Sequence, residues 1–179
     1  MSVIEGERVV LERLTLDDAE FIVRLLNDPD FHRYIGDRGV RTPEDARRYL
    51  AAGPLTSYAN LGFGLYRVAR KADGEPMGIC GLVKRDWLGD VDLGFAFLPE
   101  YRGRGYAREA AHAALAHGHE QLGLQRIVAI TDPQNAASIS LLERLGMVFE
   151  GMIRASADAE PLRLHASRGG GVATTQGDA

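Results

Sequence analysis

Residues 91–107, VDLGFAFLPEYRGRGYA, restrict the fold more than any other stretch of the chain. Val91, Leu93, Phe95 and Phe97 alternate with Asp92, Gly94, Ala96 and Leu98, the period of two of a strand with one strongly apolar face. Pro99 stops that strand, and past Gly103 and Gly105 an alanine-rich run over 106–121 favours helix by composition as well as by pattern. A helix therefore opens at two glycines, a few residues beyond a strand. Such a start leaves backbone N–H groups unpaired at the positive end of the helix dipole, a ready seat for a diphosphate. Glycine at 103 and 105 lets the main chain approach an anion and take dihedrals closed to other residues, and Arg102 and Arg104 add mobile positive charge. The same residues also suit an ordinary tight turn with solvated arginines, and glycines alone do not decide between the two.

Two common phosphate motifs are tested at once. No GxxxxGK[ST] run occurs, which argues against a P-loop hydrolase. The dinucleotide fingerprint GxGxxG needs a small residue at 108, where Arg108 stands, and Asp132 is the only near candidate for the acidic residue that should close the second strand. A nucleotide-binding oxidoreductase is the weaker enzyme class.

With 179 residues and 45% hydrophobic content the chain suits one domain with one real core. A formal charge of −4 argues against nucleic acid as a direct partner, one cysteine forbids an intrachain disulfide, and no run of 18 apolar residues suggests a membrane span. The opening MSVIEGERVV lacks a basic and apolar leader pattern, so the expectation is a soluble cytoplasmic protein.

Residues 8–14 read as the first strand. Thr15 with Asp18 gives a capping-box start to a helix that Pro29 ends, and Thr42, Pro43 and Asp45 begin a second that stops near Gly53. Phe31, His32, Tyr34, Ile35 and Asp37 form the connection. Residues 62–70 and 76–84 read as a hairpin turned at Asp73 and Gly74, with Cys80 a small buried hydrophobe in GICGLV rather than a reactive thiol. His112, His117 and His119 do not share a helical face as zinc ligands on a helix would. Residues 126–130 suit a buried strand parallel to 91–98, because a helical crossover joins them. Asn135 begins a helix capped by Gly146, and 148–154 and 160–165 read as closing strands before a polar, glycine-rich tail.

The turn meets the pattern [QR]xxGx[GA] through Arg102, Gly105 and Ala107, directly after a strand ending in proline. This resembles the acetyl-CoA-binding turn of the GNAT superfamily of N-acetyltransferases. The longer phrase LGFAFLPEYRGRGYAREAA is similar to the RimJ/RimL-type branch, and DPQNAASISLLERLGM follows in the expected order. The resemblance implies an α/β fold with a mixed, mostly antiparallel sheet, a splayed parallel strand pair and helices on both faces. The similarity runs from about residue 3 to residue 165, so 1–166 is the expected acetyltransferase domain, and the small, polar composition from Ser167 onward is that of a flexible tail over 167–179. The resemblance further implies that acetyl-CoA, with no metal, lies between the parting strands. Backbone groups near Phe95 and Phe97 would pair with its pantetheine, Phe97 and Leu98 would wall the acyl group, and the turn of Arg102, Gly103, Arg104, Gly105, Tyr106 and Ala107 would hold the diphosphate. Residues 31–37 would line the acceptor side.

In many relatives a tyrosine seven residues past the asparagine faces the departing sulfur; Leu142 occupies that place here. Ser138, one turn into the helix, matches the hydroxyl of the RimJ/RimL-like branch and is the candidate acid or thiolate hydrogen-bond donor. Asn135 is a candidate helix cap and a candidate contact to cofactor or substrate. Asp92, on the strand face opposite Phe95 and Phe97, is the candidate base, with a solvated strand aspartate as the competing reading. Met147 replaces the usual phenylalanine. The function implied is acetyl transfer to a primary amine, a protein N-terminus or a small molecule, by direct attack in a ternary complex. A module that binds acyl-CoA without transfer is the other non-oxidoreductase reading, and a homodimer is compatible with the sequence.

Overall fold

A computed structural model describes residues 2–170. Eight strands form one sheet in the order β1 (Ser2–Glu5), β2 (Val9–Arg13), β3 (Leu65–Arg70), β4 (Pro76–Val83), β5 (Asp92–Phe97), β6 (Arg126–Thr131), β8 (Leu162–Arg168) and β7 (Val148–Ile153). Every neighbouring pair is antiparallel except β5 and β6. The expected mixed sheet with a parallel pair and helices on both faces is therefore present.

The period of two in β4 and β5 explains why both faces need cover. Cys80, Leu82, Leu93 and Phe97 point into one core, packed with Ala110, Ala111, Ala114 and Leu115 of α5 (Tyr106–Glu120) and Leu142 of α6 (Ala136–Arg144). Ile79 and Leu98 meet a second core on the other face, built from Ile22, Leu25 and Leu26 of α1 (Ala19–Leu26), Phe31 of α2 (Pro29–Tyr34) and Ala46 and Leu50 of α3 (Pro43–Leu50). Alanines let α5 lie close on the sheet. Both threonine capping boxes form, although Thr15 opens a 3₁₀ turn that leads into α1.

Four boundaries differ from the sequence reading, each for a local reason. β1 precedes the expected first strand. Pro29 starts α2 instead of only ending α1, because the Asp28 side chain accepts from the Phe31 N–H and proline suits the first helical position. The second helix does not stop at Gly53: a wide turn over Ala51–Leu55, which tolerates Pro54, carries it into α4 (Thr56–Leu61), and Gly62 at φ 79° ends it. β3 accordingly begins at Leu65. At the other end Ser167 and Arg168 are paired within β8, so residue 166 falls inside a strand, and the expected tail over 171–179 lies outside the described residues.

One long-range cluster ties the first hairpin to the start of α5. Glu109 accepts from the N–H groups of Arg8 (2.8 Å) and Val9 (3.0 Å) and pairs with the Arg8 guanidinium at 3.0 Å. Arg8 in turn donates to the Arg104 carbonyl at 3.0 Å and lies over the Tyr106 ring. Glu109→Ala removes the acceptor of two amides and one guanidinium, and urea titration should show a loss of about 2 kcal/mol. Glu44→Ala, which breaks only the exposed pair to Arg47, should stay within about 0.5 kcal/mol. At Gly81 an added Cβ would sit 2.1 Å from the Gly64 carbonyl oxygen, so Gly81→Ala should cost about 3 kcal/mol in the same assay.

Candidate active site

β5 and β6 pair in register only at Asp92 and Val128, where Val128 N–H donates to the Val91 carbonyl at 3.0 Å, and then part. On its other side β5 is paired to β4 along its length. Leu98 donates to the Met77 carbonyl, and from that bond the alternation of an antiparallel pair turns the N–H and C=O of Phe95 and Phe97 away from β4, into the gap. The Phe97 carbonyl is taken there by Arg102 Nε at 3.0 Å.

The turn below the gap has the form expected of an anion seat. Gly103 and Gly105 stand at φ 72° and 83°, and Gly105 caps α5 with no side chain to satisfy the first turn. None of the amides of 103–108 donates to a protein acceptor among the described residues. Six donors around a helix start are thus left free where the dipole favours negative charge.

Arg102 is placed differently from the mobile cation expected of it. Its Nη atoms pair with Asp28 at 2.5 Å and Asp30 at 2.8 Å, and Asp28 is buried, so with Phe97 the whole guanidinium is spent on protein partners. It clamps the glycine turn to the junction of α1 and α2. Arg104 presents its carbonyl to Arg8. Sequence patterning gave no sign that Asp28 and Asp30 partner Arg102, or that Glu109 partners Arg8, because the two members of each pair lie far apart along the chain.

Two cavities meet behind the parted strands. The larger, about 680 Å³, runs from Gly103, Gly105, Ala107 and Arg108 past Phe97 to Ser138. The smaller, about 270 Å³, continues from Ser138 past Asp92 to Arg85 and Trp87. Phe31, Tyr34, Ile35, Phe95, Asn135 and Ser138 border both, which brings Asn135 and Ser138 from α6, Phe95 from β5 and residues of α2 to one place. Leu98 is not among the lining residues and packs in the second core, while Tyr106 packs beneath Arg8. Asn135 caps α6 by accepting from the Ser138 N–H at 3.2 Å, which fixes the backbone of Ser138. Leu142, at the place of the family's tyrosine, is 1% exposed and apolar.

Asp92 is not a solvated aspartate. It is 1% exposed, its Oδ2 accepts from Arg85 Nε at 3.3 Å, and its Oδ1 has no partner. Burial pushes its carboxyl above the ordinary range, with Arg85 opposing the shift. Arg85 escaped the sequence reading: it sits seven residues before Asp92 across a loop, and no motif marks it. Cys80 is fully buried and its thiol is pushed up by burial, so it lacks the thiolate character of a nucleophile. No cluster of metal ligands and no helix long and apolar enough to cross a membrane occurs among the described residues.

Over residues 8–148 the chain matches the family described as the acetyltransferase (GNAT) domain. It is 30% identical over 155 residues to the uncharacterized protein YkkB of Bacillus subtilis strain 168, across 82% of this chain and 88% of that protein. A GNAT-family acetyltransferase of Bacillus anthracis has a similar structure, with 28% identity and a TM-score of 0.75 over 92% of this chain and 97% of that one. RimL, the ribosomal L7/L12 α-N-protein acetyltransferase solved with coenzyme A, shares the fold with a TM-score of 0.81 at 14% identity, over 94% and 98% of the two chains. Sequence match and strand arrangement agree, and the chain belongs to the GNAT family of acetyltransferases.

Proposed function

We propose that this protein, as a member of the RimJ/RimL-type branch, transfers acetyl from acetyl-CoA to a primary amine by direct attack with both substrates bound. The observation that carries this reading is the junction of the two cavities: one starts at unpaired helix amides, the other holds a buried carboxylate, and they share Ser138. The residues present fit coenzyme A. Amides of 103–108 offer the diphosphate its donors, and the Phe95 and Phe97 amides in the strand gap offer an extended amide-bearing arm the pairing of an added strand. The clamped Arg102 then positions the turn instead of meeting the diphosphate itself. RimL, with the same fold, carries coenzyme A in its structure and acts on a protein α-amine.

Bound in the larger cavity, acetyl-CoA supplies an activated acyl group whose leaving thiol, with a cysteine-like pKa of about 8.5, needs no strong acid. Ser138 donates a hydrogen bond toward the sulfur as negative charge grows there. Asp92 Oδ1, buried and unpartnered, accepts a proton from the attacking nitrogen, and Arg85 holds the carboxylate in place. The raised carboxyl pKa makes it a better base than a solvated aspartate. An α-amine at about 7.7 to 8 is the easier acceptor, since a lysine at about 10.4 is almost wholly charged near neutrality. Positioning by the two cavities supplies much of the rate. A second reading, an acyl-CoA-binding module without transfer, draws on apolar Leu142; it predicts calorimetric binding of acetyl-CoA with no thiol release across a panel of amines and short peptides.

Ser138→Ala should lower kcat about tenfold while the coenzyme A affinity measured by calorimetry stays within about twofold, and unchanged turnover would remove its role. Asp92→Asn should lower kcat/KM by about a hundredfold. Because burial raises the Asp92 pKa, activity of the unaltered protein should be complete above that value and lost as pH falls through it. After division by the neutral fraction of the acceptor, the acid limb should lie above the usual aspartate value of about 3.9 and vanish in Asp92→Asn.

A further inference from the structure

The smaller cavity carries an unmatched pair of charges at the end away from the glycine turn. Arg85 reaches Asp92 through Nε alone, and its two terminal nitrogens have no acceptor among the described residues. Asp92 Oδ1, on the other side of that contact, has no donor. Arg38 borders the same cavity, and its neighbouring carboxylate, Asp37, is already engaged by Arg41 at 2.5 Å. Tyr49, Arg38 and Arg85 all line this cavity. The cavity's other acid, Asp132, accepts from the Gln134 N–H at 2.8 Å.

We infer that the acceptor is a free α-amino acid with an apolar side chain, its amine on Asp92 Oδ1 and its carboxylate on Arg85 and Arg38; this rests on the acetyl-transfer reading above. An amine and a carboxylate on one carbon match an unmatched acceptor and unmatched donors borne by two side chains in contact. Guanidinium forks suit carboxylate geometry. A polyamine would satisfy Asp92 alone and bring its remaining charge against two arginines. A peptide N-terminus would put a neutral amide where the carboxylate belongs. The volume, about 270 Å³, lies just below the range of drug-sized pockets, about 300–1,000 Å³, and suits one residue better than a chain.

The apolar requirement comes from Ile35 and Trp87, large hydrophobics left 43% and 37% exposed at the rim of this cavity. The loop that carries Arg85 and Trp87 is tied by contacts at both of its ends. Lys84 Nζ donates to the Arg85 and Leu88 carbonyls, and Arg126 pairs with Asp90 at 3.0 Å. A held loop gives binding at low ordering cost.

The full chain with saturating acetyl-CoA would be offered phenylalanine, phenylalaninamide, phenethylamine, spermidine and a short peptide beginning with phenylalanine. Free thiol and product mass would be followed, and rates expressed per unit of neutral amine. The expected result is kcat/KM for phenylalanine about ten- to a hundredfold above every acceptor lacking the carboxylate. Arg38→Gln should cut the phenylalanine-to-phenethylamine ratio about tenfold through KM, and Arg38→Lys should restore part of it, with calorimetric binding of coenzyme A reporting that both variants are folded. Equal or better use of phenethylamine, spermidine or the peptide overturns the inference and leaves acetyl transfer standing, as does a ratio unmoved by Arg38→Gln. Binding of coenzyme A with no transfer to any acceptor overturns the acetyl-transfer reading and this inference with it.

Discussion

Hydrogen bonding between β5 and β6 ends after Asp92 and Val128, and beyond that point a strand in the middle of an eight-stranded sheet has polar main-chain groups with no neighbour to take them. Unpaired groups in a protein interior cost free energy comparable to a lost hydrogen bond, so an opened parallel pair persists only where something else can use its donors and acceptors. One of these groups, the Phe97 carbonyl, is answered by Arg102. The others face a gap bordered by α2 and α6. The two cavities open beyond that break in pairing, and Asp92 lies buried at its closed base.

Holding such a gap open requires that its borders be fixed independently of each other's contact. The molecule does this with ion pairs rather than apolar packing at the two ends of the glycine turn. Arg102 spans from the turn to Asp28 and Asp30, and Glu109 spans from the first turn of α5 to Arg8 and Val9. Buried or half-buried pairs of this kind add little net stability over apolar contacts, but they hold one geometry because leaving either partner unpaired is costly. A turn that must keep its amides free for an anion cannot be fixed through those amides, and side-chain anchors on either flank are the remaining means.

Periodicity and punctuation made the sheet legible in the sequence wherever they were local. The alternation in β5, the two threonine caps, the Asp73–Gly74 turn and the helix at Gly105 are all encoded within a few residues, and their positions stand within a residue or two. Pro29 reads only as a stop, although the same ring that ends one helix is well suited to start the next, as it does here. Gly53 and Pro54 read as a stop because propensity does not foresee a wide turn that absorbs a proline. In the candidate site, Gly103 and Gly105 are marked by the local turn pattern and Ser138 by the resemblance of the phrase that contains it. Arg85, Arg38 and the acids that hold Arg102 carry no such mark, since their partnerships exist only after the chain has folded.

Phe31, Phe95 and Ser138 border both cavities, so the two volumes adjoin along these side chains. Under the proposed reading, a single compound in which coenzyme A is joined through a short spacer to an amine-derived group would occupy both volumes at once. Its second half would meet its site at a local concentration far above that of a free molecule, and the strongest compound would be the one whose spacer matches the distance between the two sites. The common wall therefore marks this fold as a natural target for bisubstrate inhibitors.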